Sequence, residues 1–162
     1  LDYYNSDGSW ETLCANGSRC ASRFIHNLNN TKRNLKFETG AGVHTAEIKS
    51  NGEVLMSMKT PVYKSECLSP EGVSGIFVDS GARHFVCQSD NLDEELVLTL
   101  GRKIRHSQPF KPQGINVNFY RIQSNNIIEV RTYEKGVERL VLSCSSGSAA
   151  VAYHLSKSYD LI

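Results

Sequence analysis

The sequence predicts a strand-rich α+β fold of two related units, each holding one helix against its strands. Three observations predict it. Short runs rich in apolar residues, separated by Gly, Asn and Pro turns, recur along the chain. Residues 18–28, 91–106 and 147–157 carry helical patterning. One local pattern also occurs twice: Cys14-Ala15-Asn16-Gly17-Ser18 and Cys144-Ser145-Ser146-Gly147-Ser148 both read Cys-x-x-Gly-Ser. Each follows an apolar residue or strand-like run and opens into a helix-like segment, which suggests one site built between two similar lobes.

In the first unit, Cys20, Phe24, Ile25 and Leu28 form the apolar face of a helix that Asn29-Asn30 end. Leu35 to Thr39 reads as a strand, and Gly40-Ala41-Gly42 as a turn. Val43 to Lys49 and Glu53 to Met58 flank Ser50-Asn51-Gly52, a hairpin in which Asn-Gly supplies positive φ at little cost. Pro61 marks the boundary, giving units of 1–61 and 62–162.

In the second unit, Gly75 to Asp79 and His84 to Gln88 are short strands around Gly81. Leu92, Leu96, Leu100 and Ile104 stripe one face of a helix over 91–106, and Asn91 with Glu94 resembles a capping box. Pro109 and Pro112 end it. Ile115, Val117 and Phe119 alternate with polar residues, Ser124-Asn125-Asn126 turns, and Ile127 to Tyr133 returns as a hairpin. Glu138 to Ser143 is a last strand. The helix over 147–157 is built of small residues (Ala149, Ala150, Val151, Ala152) fit for burial, as the core of a curved sheet would be.

Composition narrows the function classes. The 162 residues carry a formal charge of +1, which implies no polyanionic partner and no nucleic acid. No apolar run approaches the ~18 residues of a membrane span, and no secretory leader is visible at Leu1. Five cysteines at positions 14, 20, 67, 87 and 144 have neither disulfide-like nor metal-like spacing. Free thiols in a reducing, cytoplasmic compartment are expected.

A thiol at a helix start sits beside unpaired backbone N–H groups, which favour the thiolate and can hold a carboxylate. Gly17 and Gly147 would let the backbone approach a ligand. A thiolate and a thiol on opposite faces of one carbon can remove a proton from one side and return it to the other, with no cofactor. Packing is the commoner use of cysteine, and redox and metal roles stay open beside it.

Specific blocks point further. Tyr4-Asn5-Ser6-Asp7-Gly8-Ser9 followed by Leu13-Cys14-Ala15-Asn16-Gly17-Ser18-Arg19-Cys20 resembles the F-N-A-D-G-S and M-C-G-N-G-x-R-C of diaminopimelate epimerases. Pro109-Phe110-Lys111-Pro112-Gln113-Gly114-Ile115-Asn116 is similar to their F-x-P-x-G-x-N. Arg131-Thr132-Tyr133-Glu134-Lys135-Gly136 and Leu142-Ser143-Cys144-Ser145-Ser146-Gly147 are similar to R-T-Y-E-R-G and L-S-C-G-T-G. The resemblance implies two pseudo-symmetric lobes, each a curved mixed sheet wrapped around a central helix. It also implies interconversion of LL- and meso-diaminopimelate without pyridoxal phosphate, metal or other cofactor, on the route to lysine and peptidoglycan.

By that resemblance Cys14 and Cys144 are the acid/base pair. Asn5, Ala15, Asn16, Asn116, Glu134, Lys135, Ser145 and Ser146 contact an amino-acid substrate, Ala15, Ser145 and Ser146 through their backbone. His84 and Glu134 set the thiol pKa values. Ala15 and Ser145 stand where the family has Gly, Ala82 where it has Asn, Lys135 where it has Arg, and Leu140-Val141 where it has Glu-Thr. These departures bear on the substrate more than on the chemistry, and a related racemase or a non-catalytic paralogue of the same fold would also fit them. The two units also differ in extent: 13 residues precede Cys14 whereas 82 lie between Pro61 and Cys144, and 47 residues run from Cys14 to Pro61 whereas 18 follow Cys144. A piece of a longer two-lobed protein is expected, whose uncovered sheet edges could pair in a homodimer.

Overall fold

The computed structural model describes residues 1–29, 33–124 and 127–158. Within them the fold is mixed α/β, with three α-helices and several sheets. The chain divides into two compact units, Leu1–Thr60 and Pro61–Ile162. The expected turn residues Asn30, Asn125 and Asn126 lie outside the described residues.

The first unit opens with a short hairpin of β1 (Tyr3–Tyr4) and β2 (Trp10–Glu11). Helix α1 (Ala15–Asn29) follows, then an antiparallel sheet of β3 (Asn34–Thr39), β4 (Gly42–Ile48) and β5 (Val54–Met56). The β4–β5 turn is the expected one: Gly52 has φ +87°, a value that favours glycine, and Lys49 N–H donates to Glu53 O at 2.8 Å. Period-two alternation buries His44, Ala46 and Ile48 on one face of β4.

Helix α1 departs from expectation. The predicted apolar face does not supply its buried side: Cys20 is exposed, as are Phe24 (62%), Ile25 and Leu28 (67%). The side packed on β4 and β5 is made of small residues, with Ala15, Ser18 and Ser22 buried. β4 and β5 cover this side of the helix, and small side chains let the backbones approach there.

The second unit is a six-stranded sheet in the order β11-β10-β9-β8-β7-β6. Its strands are β6 (Val62–Tyr63), β7 (Ile76–Asp79), β8 (Arg83–Gln88), β9 (Asn116–Ser124), β10 (Ile127–Glu134) and β11 (Arg139–Val141). All neighbours are antiparallel except β8 and β9, which run parallel because α2 (Glu94–Arg105) crosses between them. Helix α3 (Ser145–Ser158) closes the described chain.

The two helices pack on opposite faces of this sheet, and the strand period sorts the core between them. Phe85, Cys87, Val117, Phe119 and Tyr133 face α2, where Val97 and Ile104 meet them. Val78, Val86 and Tyr120 face α3, where Ala150, Val151 and Leu155 meet them. The strand that alternates around Val117 is a central strand, and its polar positions are buried with its apolar ones: Asn116 through Tyr120 are all buried. The predicted stripe does face the α2 side of the core: Ile104 is buried, Leu92 just ahead of the helix is buried, and Leu96 and Leu100 pack against it partly buried. The most buried helical positions also include Val97 and Gly101, the latter lying against the Tyr133 side chain. Asn91 does not cap α2 through a box with Glu94. Its Oδ1 accepts the Asp93 N–H at 2.8 Å in the preceding turn.

Candidate active site

Both repeated cysteines stand one residue before a helix, at the N-cap. Ser18 N–H donates to Cys14 O at 2.8 Å, and Ser148 N–H donates to Cys144 O at 2.9 Å, so the first helical turn closes on each cysteine's own carbonyl. Each thiol then folds back over the turn. Gly17 N–H donates to Cys14 Sγ at 3.3 Å, and Gly147 N–H donates to Cys144 Sγ. A Cβ at either glycine would come within 3.3 Å of the thiol in question. The glycine of Cys-x-x-Gly thus leaves room for the sulfur, and neither glycine is there to reach positive φ.

In the first unit Cys14 is half-buried and lines a cavity of about 140 Å³ with Leu13, Gly17, Ser18 and Thr39. Ala15 is buried, which turns its methyl group into the protein, while Asn16 accepts a hydrogen bond from Arg19 at 2.9 Å. Asn5 lies in the β1–β2 turn, buried, with its Nδ2 donating to Ser9 Oγ at 3.0 Å.

In the second unit the strand register gathers the candidates at one sheet edge. His84 at the start of β8 pairs with Asn116 at the start of β9, and antiparallel β10 ends beside them at Glu134. Cys144, Ser145 and Ser146 begin α3. Asn116 stitches this edge together: Nδ2 donates to Arg83 O at 3.0 Å, and Oδ1 accepts the Lys135 N–H at 2.8 Å. His84 is fully buried and contacts Ser146 Oγ through Nε2 at 3.0 Å. Ser146 Oγ lies 3.5 Å from Cys144 Sγ.

Burial pushes the Cys144 thiol up to about 12, and the Glu134 carboxylate beside it acts in the same direction. Hydrogen bonds from Ser146 and from Gly147 N–H oppose the rise without cancelling it. Cys144 is therefore a protonated thiol at neutral pH. Burial pushes His84 down to about 3 against the pull of the Asp79 carboxylate, so its ring is neutral. Leu140, which departs from the family pattern, packs against the α2 side of the core, away from this chemistry.

The sequence reading missed three polar residues that join the cluster. Asn118 contacts His84 Nδ1 at 2.9 Å, Thr132 contacts Asn118 Oδ1 at 3.0 Å, and Ser80 Oγ donates to Ser146 O at 2.8 Å. The signal for Asn118 was its place two residues beyond Asn116 in an otherwise apolar strand, which puts both on one face. Among the described residues no group of three or more His, Cys, Asp or Glu is placed to hold a metal ion, and no helix is long and apolar enough to cross a membrane.

No protein-family model matches the sequence. Individual relatives do. A diaminopimelate epimerase of Aquifex aeolicus is 41% identical over 155 residues, spanning 93% of this chain and 56% of that protein. That of Chlorobaculum tepidum is 36% identical over 154 residues, 94% of this chain and 60% of the relative. That of Archaeoglobus fulgidus is 39% identical over 165 residues, 93% and 58% respectively. The chain thus spans a little over half the length of the curated relatives it matches. Matched along more than nine-tenths of its own length at this level of identity, the chain belongs to the diaminopimelate epimerase family.

Proposed function

We propose that this chain forms part of a cofactor-independent epimerase that interconverts LL- and meso-diaminopimelate, with Cys14 and Cys144 as its two acid/base groups. The observation that carries this reading is the repeated turn. Two thiols occupy equivalent N-cap positions, each held by the N–H of a glycine that lies against the sulfur. In the reaction one cysteine, as thiolate, takes the α-proton. The other, as thiol, delivers a proton to the opposite face of the α-carbon. Cys144 is supplied as the thiol by burial and by Glu134, so Cys14 is the base for the half-reaction that starts from this state.

The α-carbon acidity is the larger problem, because the carbanion forms beside a carboxylate. The first-turn N–H groups of α1 and α3 are suited to hold that carboxylate and spread its charge. Ala15, Asn16, Ser145 and Ser146 belong to those turns, and Asn5, Asn116 and Lys135 are read as further substrate contacts. We also read the two units as the paired lobes of the family fold, related by this turn and by the helix each one starts.

The test is α-proton exchange of diaminopimelate in D2O, followed by proton NMR with the full-length protein. Exchange is expected with the native sequence, with loss of at least ~10²-fold in Cys14→Ala and in Cys144→Ala, the range general acid–base groups contribute. Exchange that survives both substitutions overturns the reading.

A further inference from the structure

The hydrogen bonds around His84 have a direction that the local geometry determines. Asn118 Nδ2 lies 2.9 Å from His84 Nδ1 and 3.4 Å from Phe85 O. A carbonyl oxygen only accepts, so the nitrogen of the Asn118 carboxamide must be on this side. Its oxygen points the other way, where Thr132 Oγ1–H donates to it at 3.0 Å. His84 Nδ1 thus faces a donor and has to be the acceptor, which leaves the proton of the neutral ring on Nε2.

That Nε2–H donates to Ser146 Oγ at 3.0 Å, and a hydroxyl accepting there has its own proton to offer Cys144 Sγ at 3.5 Å. Ser80 holds the Ser146 carbonyl at 2.8 Å, so the hydroxyl is positioned as well as oriented. Asn118 Oδ1 is packed against the start of α3 so closely that a Cβ on Gly147 would overlap it.

We infer that Thr132, Asn118 and His84 are positioning residues in a one-way line of hydrogen bonds, which acts through Ser146 to aim a proton at Cys144 Sγ and steady its thiolate. No proton travels along the line. When Cys144 gives its proton to the substrate carbon, the sulfur keeps the Ser146 O–H and Gly147 N–H donors, and His84 stays neutral. The charged groups facing the line are Asp79 beside His84 and Glu134 beside Cys144; both carboxylates disfavour a thiolate or favour an imidazolium, so the line opposes them. Its purpose rests on the epimerase reading, but its existence does not.

The experiment has two readouts that need no substrate. In the native protein, long-range proton–nitrogen NMR correlations of His84 are expected to show an Nε2–H tautomer that does not titrate between about pH 8 and about pH 5, as a buried neutral ring requires. A proton on Nδ1, or titration in that range, overturns the inference. The alkylation rate of Cys144, followed by peptide mass spectrometry at about pH 9, should fall about tenfold or more in Ser146→Ala, the effect of one hydrogen bond to a charged group, and recover in Ser146→Thr. An unchanged rate in Ser146→Ala, or no recovery in Ser146→Thr, also overturns it. If both readouts hold while diaminopimelate exchange is absent, the functional reading fails and the hydrogen-bonded line stands.

Discussion

Gly147 lies directly beneath the Cys144 thiol, where a Cβ would come to 3.3 Å from Sγ, and Gly17 stands in the same relation to Cys14. The two positions differ in what else is near. Gly17 has only its cysteine close by, whereas Gly147 also abuts Asn118 Oδ1, which Thr132 holds in place.

Alanine should therefore behave differently at the two glycines. Helix propensity favours alanine by up to ~1 kcal/mol. At Gly17 the thiol can rotate aside, and Gly17→Ala should leave stability within ~0.5 kcal/mol of the native protein. At Gly147 the obstacle is a bonded carboxamide, and Gly147→Ala should cost about 1–2 kcal/mol through overpacking. Urea unfolding measures both, and a Gly147→Ala protein more stable than native would show that Asn118 is not held as described.

Four of the five thiols should react in a definite order. Cys20 and Cys67 are exposed, Cys144 is pushed up to about 12, and Cys87 is buried with its thiol raised by that burial. Since the thiolate is the nucleophile, iodoacetamide at neutral pH should modify Cys20 and Cys67 at least ~100-fold faster than Cys144, and Cys87 only on unfolding. Peptide mapping reads each rate, and a Cys144 as fast as Cys67 would refute its assignment as the resting acid.

Acid should destabilise the second unit before its carboxylates titrate. An unfolded chain protonates His84 near its ordinary value of ~6.5, while the folded unit does so only near about 3. Between these values the unfolded state binds the extra proton, so stability is lost as pH falls. His154, also lowered by burial, adds in the same direction. Below about pH 6 the loss from His84 approaches ~1.4 kcal/mol per pH unit. His84→Gln should flatten the slope of unfolding free energy between about pH 6 and about pH 5; an unaltered slope would mean that His84 is not the group responsible.

Asn116 should matter to the frame of the site as well as to any ligand. Both ends of its carboxamide bind backbone, at Arg83 O and Lys135 N–H. Asn116→Asp turns an acceptor toward the Arg83 carbonyl and should cost about 1–3 kcal/mol of stability, the range for a buried polar group left unsatisfied. Denaturant unfolding without substrate separates this from a role in binding.

Much of the local structure is legible in the sequence. The β4–β5 hairpin follows from Asn51-Gly52, and the helices that start at Ala15 and Ser145 follow from their repeated turn. The second hairpin follows from alternation around β9 and β10. The helix faces were less legible. Period 3.6 identifies an apolar stripe on α1, but nothing in the stripe says that the neighbouring sheet will take Ala15, Ser18 and Ser22 instead. On α2 the stripe with Leu92 and Ile104 does reach the core, but Gly101 beside it was not legible: a glycine carries no hydrophobic signal, yet close approach to Tyr133 selects it.

By itself, the sequence determined the family, the two cysteines, and the residue types around them, because these are properties of short blocks in a particular order. Only the tertiary structure decided what those blocks do to one another. The parallel pairing of β8 with β9 sets His84 beside Asn116 and two residues from Asn118, although more than 30 residues separate them in the chain. The start of α3 then meets that edge and closes the line from Thr132 to Cys144. Hydrogen-bond direction, burial and the neutral state of His84 depend on which groups face each other across strands, and no local pattern carries that information.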